Sequence, residues 1–227
     1  ELAGLGLRGA LYAIIVLYVL KGGVLTPIFT GNVLRETGRG DQTPFCMALE
    51  TVALGVVLLL AALDLAGAPS SATGLAALAC AVVHAVRTAR WQGWRVREVP
   101  LVFVMHLGFA WRVCAFLLKA AAELTGRVPE AAWVHAFTVG GLGLMMLGLM
   151  TRVALRHTGR PLAVPAAMKL AYVLMFAAAL LRLAATVHGL GAWAVALAAV
   201  LWGLTFLMYC LTFGAMLARP SLPRASV

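Results

Sequence analysis

The chain has 227 residues, with 18 Lys plus Arg against 8 Asp plus Glu for a net charge of +10. Apolar residues make up 63% and the mean hydropathy is +0.97, whereas an ordinary globular chain is roughly 45–50% apolar. A soluble domain of this size cannot hide that much apolar surface, so soluble Rossmann enzymes, disordered tails and disulfide-framed secreted modules are excluded.

The basic residues fall between apolar runs rather than in one patch, which marks membrane topology and not nucleic-acid binding. The runs lie at roughly 7–29, 46–66, 72–90, 99–122, 130–154, 163–187 and 190–216. They are continuous and rich in Ala and Leu, which excludes transmembrane strands of about ten alternating residues. The expectation is one all-α, polytopic transmembrane bundle of about seven spans. No signal peptide, internal repeat or low-complexity linker is predicted. In the first run, Lys21-Gly22-Gly23 followed by Pro27 predicts an early end or a half-helix. Gly67 to Ser71 and Gly189 to Gly191 read as tight turns.

Charge sets the expected orientation. The loops after odd spans hold Lys21, Arg35, Arg39, Arg87, Arg90, Arg95, Arg97, Arg152, Arg156, Arg160, Lys169, Arg219 and Arg224. The other side holds only Arg8, Lys119, Arg127 and Arg182. The positive-inside rule puts the first set in the cytoplasm, leaving Glu1 outside and the C-terminus inside. The cysteines Cys46, Cys80, Cys114 and Cys210 are far apart and form no C-x-x-C, which argues against a disulfide framework, a zinc knuckle and covalently attached haem.

Several polar groups lie inside the apolar runs. Counted from the span ends, His84 and His106 each sit about 10 Å below the cytoplasmic surface and form a candidate inner pair. His135 and His188 form a candidate outer pair. Arg112 falls in mid-span, where charge costs several kcal/mol unless paired, and Glu50 is a candidate partner. Imidazole is the commonest metal ligand and the axial ligand of b-type haem, and an arginine can neutralise a haem propionate. The ordinary alternative is that each histidine hydrogen-bonds across helices. From His135 the fifth span carries Gly140, Gly141, Gly143 and Gly148, which let a helix or a flat macrocycle approach closely. Met146 is eleven residues from His135 and so on its face. Met145, Met146 and Met150 offer thioethers for Cu(I), although methionine more often fills gaps. Cys80 and His84 share a helix face, a spacing more common in cores than in ligand sets.

The run from His135 to Leu162, HAFTVGGLGLMMLGLMTRVALRHTGRPL, and the segment MHLGFAW from Met105 to Trp111 resemble the two histidine motifs of the NnrS family. The connector RTARWQGWRVREVPL has that family's Arg- and Trp-rich character. GGVLTPIFTGNVL resembles a third segment, with Val24 and Gly31 where the family usually has arginines. The resemblance implies a multi-pass protein of the bacterial inner membrane that holds haem b and copper and acts in the response to nitric oxide and nitrosative stress, including denitrification. It further implies that this chain is the C-terminal portion of a longer, twelve-span protein, so a missing N-terminal half or a membrane partner is expected. It carries over His106 and His135 as metal and haem ligands, and His157 and Arg160 through the loop motif. His84 is added by depth, Arg112 as a propionate partner and Met146 as a copper ligand. Expected partners are nitric oxide or another small ligand and membrane lipid, with no nucleic acid. The competing readings are a transporter or channel for a small anion or metabolite, and an anchor for partner proteins.

Overall fold

In a computed structural model, residues 2–222 are described; Glu1 and Arg224, used above for orientation, lie outside them. The elements in order are α1 (Leu2–Leu17), α2 (Gly23–Glu36), α3 (Met47–Leu65), α4 (Ser70–Arg90), α5 (Pro100–Thr125), α6 (Glu130–His135), α7 (Gly143–His157), α8 (Ala166–His188) and α9 (Ala192–Leu217). There is no strand among the described residues. Seven helical segments are long and apolar enough to cross a membrane, because α1 and α2 form one continuous span through a π-helical turn at Tyr18–Gly22. Likewise α6 and α7 are joined by a π-helical stretch at Ala136–Leu142.

The first span corrects an expectation. It neither ends at Lys21-Gly22-Gly23 nor breaks at Pro27, but runs to Glu36. A membrane helix tolerates such residues when a local π adjustment and neighbouring groups satisfy the freed backbone. The π-turn sits at the glycines, immediately before the turn that Pro27 interrupts. The two predicted tight turns are present, with Gly67, Gly189 and Gly191 at positive φ.

The long helix α5 is the centre of the bundle. It packs antiparallel to α4, with His84 stacked on Phe116, and antiparallel to the α6–α7 span. That second contact is close because side chains are missing. A Cβ on Gly108 would meet Gly141 O at 2.9 Å, and one on Gly140 would collide with the Trp111 ring. The glycines of the fifth span therefore admit helices, α5 at Gly140, Gly141 and Gly148 and α8 at Gly143, and not a flat macrocycle. The leucines of α1 and α9 are largely exposed, as are Leu58 and Leu59 of α3, as for surfaces that face lipid.

One buried ionic knot ties α1, α3, α5 and α6 at the end opposite the basic loops. Lys119 Nζ donates to Asp64 Oδ1 at 2.7 Å, and to Glu123 Oε1 and Glu130 Oε1 at 2.8 Å each. Tyr12 Oη donates to Asp64 Oδ2 at 2.9 Å, and Trp133 Nε1 to Glu130 Oε1 at 2.9 Å. The Lys119 side chain is 1% exposed, so removing it leaves carboxylates without their cation. Breaking such a pair from one side costs about 3–5 kcal/mol. Lys119→Met is expected to lower stability by that amount in a thermal or chemical unfolding assay in detergent. Adding Asp64→Asn should recover part of the loss.

Candidate functional site

The site is built around the middle of α5. Arg112 is fully buried, and none of its three guanidinium nitrogens has a hydrogen-bond partner. Three aromatic rings wall it instead, with its Cζ 4.6 Å from the Phe109 centroid, 5.5 Å from Tyr18 and 6.0 Å from Phe116. The two π-helical segments meet beside it. Tyr18 Oη, in the first, donates to Gly141 O, in the second, at 3.2 Å. Irregular turns of this kind are frequent at functional sites.

Glu50, the expected partner of Arg112, is engaged elsewhere. It forms a bidentate pair with Arg87, with Nε to Oε1 at 3.1 Å and Nη2 to Oε2 as the second bond. Arg87 also reaches Val19 O in the first π-turn at 3.3 and 3.4 Å and stacks over Trp91. It passes where Gly23 has no side chain, since a Cβ there would lie 2.6 Å from Nη1. Sequence reasoning assigned Arg87 to topology, yet it is 2% exposed. The signal was available: Glu50 and Arg87 each lie about one turn inside the basic end of adjacent helices.

The histidines do not pair as expected. His84 is fully buried, and neither ring nitrogen makes a hydrogen bond of good geometry, although the Ala53 backbone is close. His84 lies level with Phe116, while Gly93 lies against His106. The two imidazoles are therefore ten residues apart in level on α5, roughly 15 Å at 1.5 Å per residue. Metal–imidazole bonds of about 2 Å cannot span that distance. Matched depth fails because α5 overhangs the end of α4: the connector at Gly93–Val96 folds back along it, so equal counts from the helix ends are not equal heights. His135 also stays apart from His106. With Gly140 against Trp111, His135 falls about level with Phe116. Its partner is Arg182 Nη2, 2.9 Å from Nε2, rather than His188, which is exposed. The guanidinium can only donate, so His135 Nε2 accepts. His157 is exposed, and its backbone carbonyl accepts from Ser221 Oγ.

Met146 is 40% exposed on the outside of the bundle, whereas Met145 is buried. The π-helical stretch inserts an extra residue between His135 and Met146, so eleven residues no longer bring the two onto one face. His135 and Met146 are not brought together.

His106 has the most informative surroundings. Its Nε2 lies 2.8 Å from Thr30 Oγ1, whose single hydrogen goes to Thr26 O. The imidazole Nε2 is then the donor, and the lone pair remains on Nδ1. The ring lines a groove of about 400 Å³ between α4 and α5, whose walls include Ala85, Ala89, Gly93, Trp94 and Ala110. A second groove of about 330 Å³ holds His135 and Arg182 with Val195 and Trp202.

Against this geometry, the family model described as NnrS protein matches residues 1–221. The chain belongs to the NnrS family. No curated protein and no solved structure matches it. The family is in keeping with metal or haem binding, and the residues can be tested for each. Among the described residues, the one group of three acidic, histidine or cysteine ligand atoms within reach of a single ion is Asp64, Glu123 and Glu130. The Lys119 ammonium already sits among these carboxylates, and such oxygens are poor ligands for soft Cu(I). That acidic group therefore does not suit copper. A single imidazole with a fixed tautomer beside a groove fits haem better.

The cage around Arg112 gives a prediction. Cation–π contacts contribute about 0.5–2 kcal/mol each, against several kcal/mol for burying an unpaired charge. Arg112→Met is therefore expected to leave the protein at least as stable as the wild type in a detergent unfolding assay. A drop of more than about 2 kcal/mol would show that the rings hold the guanidinium for stability alone.

Proposed function

We propose that this NnrS-type membrane protein binds haem b through His106 and serves the response to nitric oxide in the bacterial inner membrane, its basic end in the cytoplasm. The observation that carries the reading is the relay from His106 Nε2 to Thr30 Oγ1 to Thr26 O, which leaves the Nδ1 lone pair at the α4–α5 groove. Histidines that ligate metals commonly donate their other ring N–H to a fixed acceptor, which sets both tautomer and ring angle. The groove volume falls within the range of about 300–1,000 Å³ found for ligand pockets.

The described residues contribute one open imidazole there. His106 would hold the haem there, and the group would supply an iron able to bind a small gas such as nitric oxide. The apolar bundle admits an uncharged diatomic from lipid without a polar path. Arg112, about 9 Å further along α5, is enclosed by aromatic rings, and the positive charge it holds in a low-dielectric interior would favour the reduced form of a metal bound nearby. His84 and His135 remain secondary candidates, the first for its free nitrogens and the second only if Arg182 is displaced. The transport reading lacks support, because Arg87 and Lys119 are tied to acids and Arg112 is shut behind aromatic rings.

The purified protein, loaded with haem, is expected to show a Soret band that shifts on adding nitric oxide. His106→Ala should remove most of the band, and Thr30→Val should weaken haem binding about ten-fold. His84→Ala should leave the spectrum in place. A folded protein that stays colourless with excess haem, or a His106→Ala variant that keeps its band, would sink the proposal.

A further inference from the structure

A third groove, of about 390 Å³, lies between α5 and α8, flanking the same Phe103–Leu107 ridge of α5 as the α4–α5 groove. Its walls are apolar, formed by Phe103, Val104, Leu107, Val173 and Phe176, and its rim carries Arg97 and Lys169. Trp111 stacks edge-on against Phe176 at 5.8 Å and bridges the two helices at the deep end. From Pro100 to Leu107 the wall descends about 10 Å, into the hydrocarbon depth of one leaflet.

The rim is positive for two reasons, its unpaired cations and its helix N-termini. Arg97 and Lys169 are both exposed, and neither makes a salt bridge among the described residues, where six such contacts engage other cations. Both α5 and α8 begin at this end, at Pro100 and Ala166, so the positive ends of two helix dipoles coincide there. Neither helix has a side-chain cap on its first turn, which leaves backbone N–H groups without a side-chain acceptor. Positive charge above an apolar cleft open to lipid complements an anionic headgroup above acyl chains.

We propose that the α5–α8 groove is a binding site for an anionic diacyl phospholipid, its phosphate held between Arg97 and Lys169 and one acyl chain laid along Phe103, Leu107 and Val173. The site adjoins the His106 groove, with which it shares Phe103 and Leu107, but its two cations and its α8 wall are its own, and it does not require haem. Annular lipid would cover any apolar face without regard to headgroup; this site selects by charge at one place.

The test is native mass spectrometry of the protein released from nanodiscs containing equal amounts of phosphatidylglycerol and phosphatidylcholine. The wild type is expected to retain one lipid with about a ten-fold preference for phosphatidylglycerol. The pair Arg97→Gln and Lys169→Gln should bring that preference close to one. The same two-charge loss at Arg156→Gln and Arg219→Gln, exposed cations at the same end, should leave it intact. Val173→Trp, which fills the groove and keeps both cations, should lower the retained lipid of either kind. Undiminished preference in the Arg97/Lys169 variant would overturn the proposal, as would equal loss in the Arg156/Arg219 control. So would competition by millimolar inorganic phosphate, because a phosphate site needs no acyl cleft.

Discussion

Ionised side chains inside a hydrocarbon layer must be compensated locally, since a carboxylate or guanidinium left without partners loses several kcal/mol of hydration. Among the described residues three cations are buried in the core, and each is treated differently. Lys119 is surrounded by three carboxylates, Arg87 is matched to one carboxylate and a π-turn carbonyl, and Arg112 has only aromatic faces. The first two fasten helices to one another: Lys119 joins α5 to α3 and α6, and Arg87 joins α4 to α3 and the first span. Arg112 ties nothing by hydrogen bonds. A charge retained without that return marks the centre of the molecule as a place where function, rather than stability, sets the residue.

The π-helical segments belong to the same economy of space. Each inserts a residue where glycines follow or lie within it, and the two meet beside α5. In the first, the Val19 carbonyl becomes available to Arg87, and Gly23 leaves the room the guanidinium needs. In the second, Gly140 and Gly141 let α5 approach until Trp111 and Gly108 touch the opposite backbone. Irregular turns and missing side chains thus combine to set a buried cation between two distorted spans, which regular α-helices with alanine at these positions could not accommodate.

The span count, the helical class and the two tight turns were legible because about 20 apolar residues per crossing is a strong constraint and glycine turns are local. The family was legible in the His135–Leu162 and Met105–Trp111 runs. Side-chain partnership was less so. Glu50 and Arg112 are both intramembrane and of opposite sign, yet the charge that met Glu50 was Arg87, counted as a loop residue because it lies near the end of its run. The depth match of His84 and His106 assumed that neighbouring helices end at one height, and the overhang of α5 defeats that assumption. The Met146 reading assumed regular periodicity across a stretch that is π-helical. Each failure comes from a relation between elements, or from a change of helical pitch, that residue spacing does not encode.

Phe103 and Leu107 line both the His106 groove and the α5–α8 groove. They lie three residues before and one residue after His106 on the same helix, so whatever fixes their rotamers also shapes the wall beside the imidazole. An acyl chain against one side of these two residues restricts the positions they take on the other. The Thr30 relay fixes the His106 ring from a third direction, through α2. Ring orientation at His106 therefore depends on α2 directly and on the bilayer through Phe103 and Leu107. On the proposed reading, in which a small ligand reaches His106 through lipid, that arrangement makes the composition of the surrounding leaflet a determinant of the site and not merely its solvent.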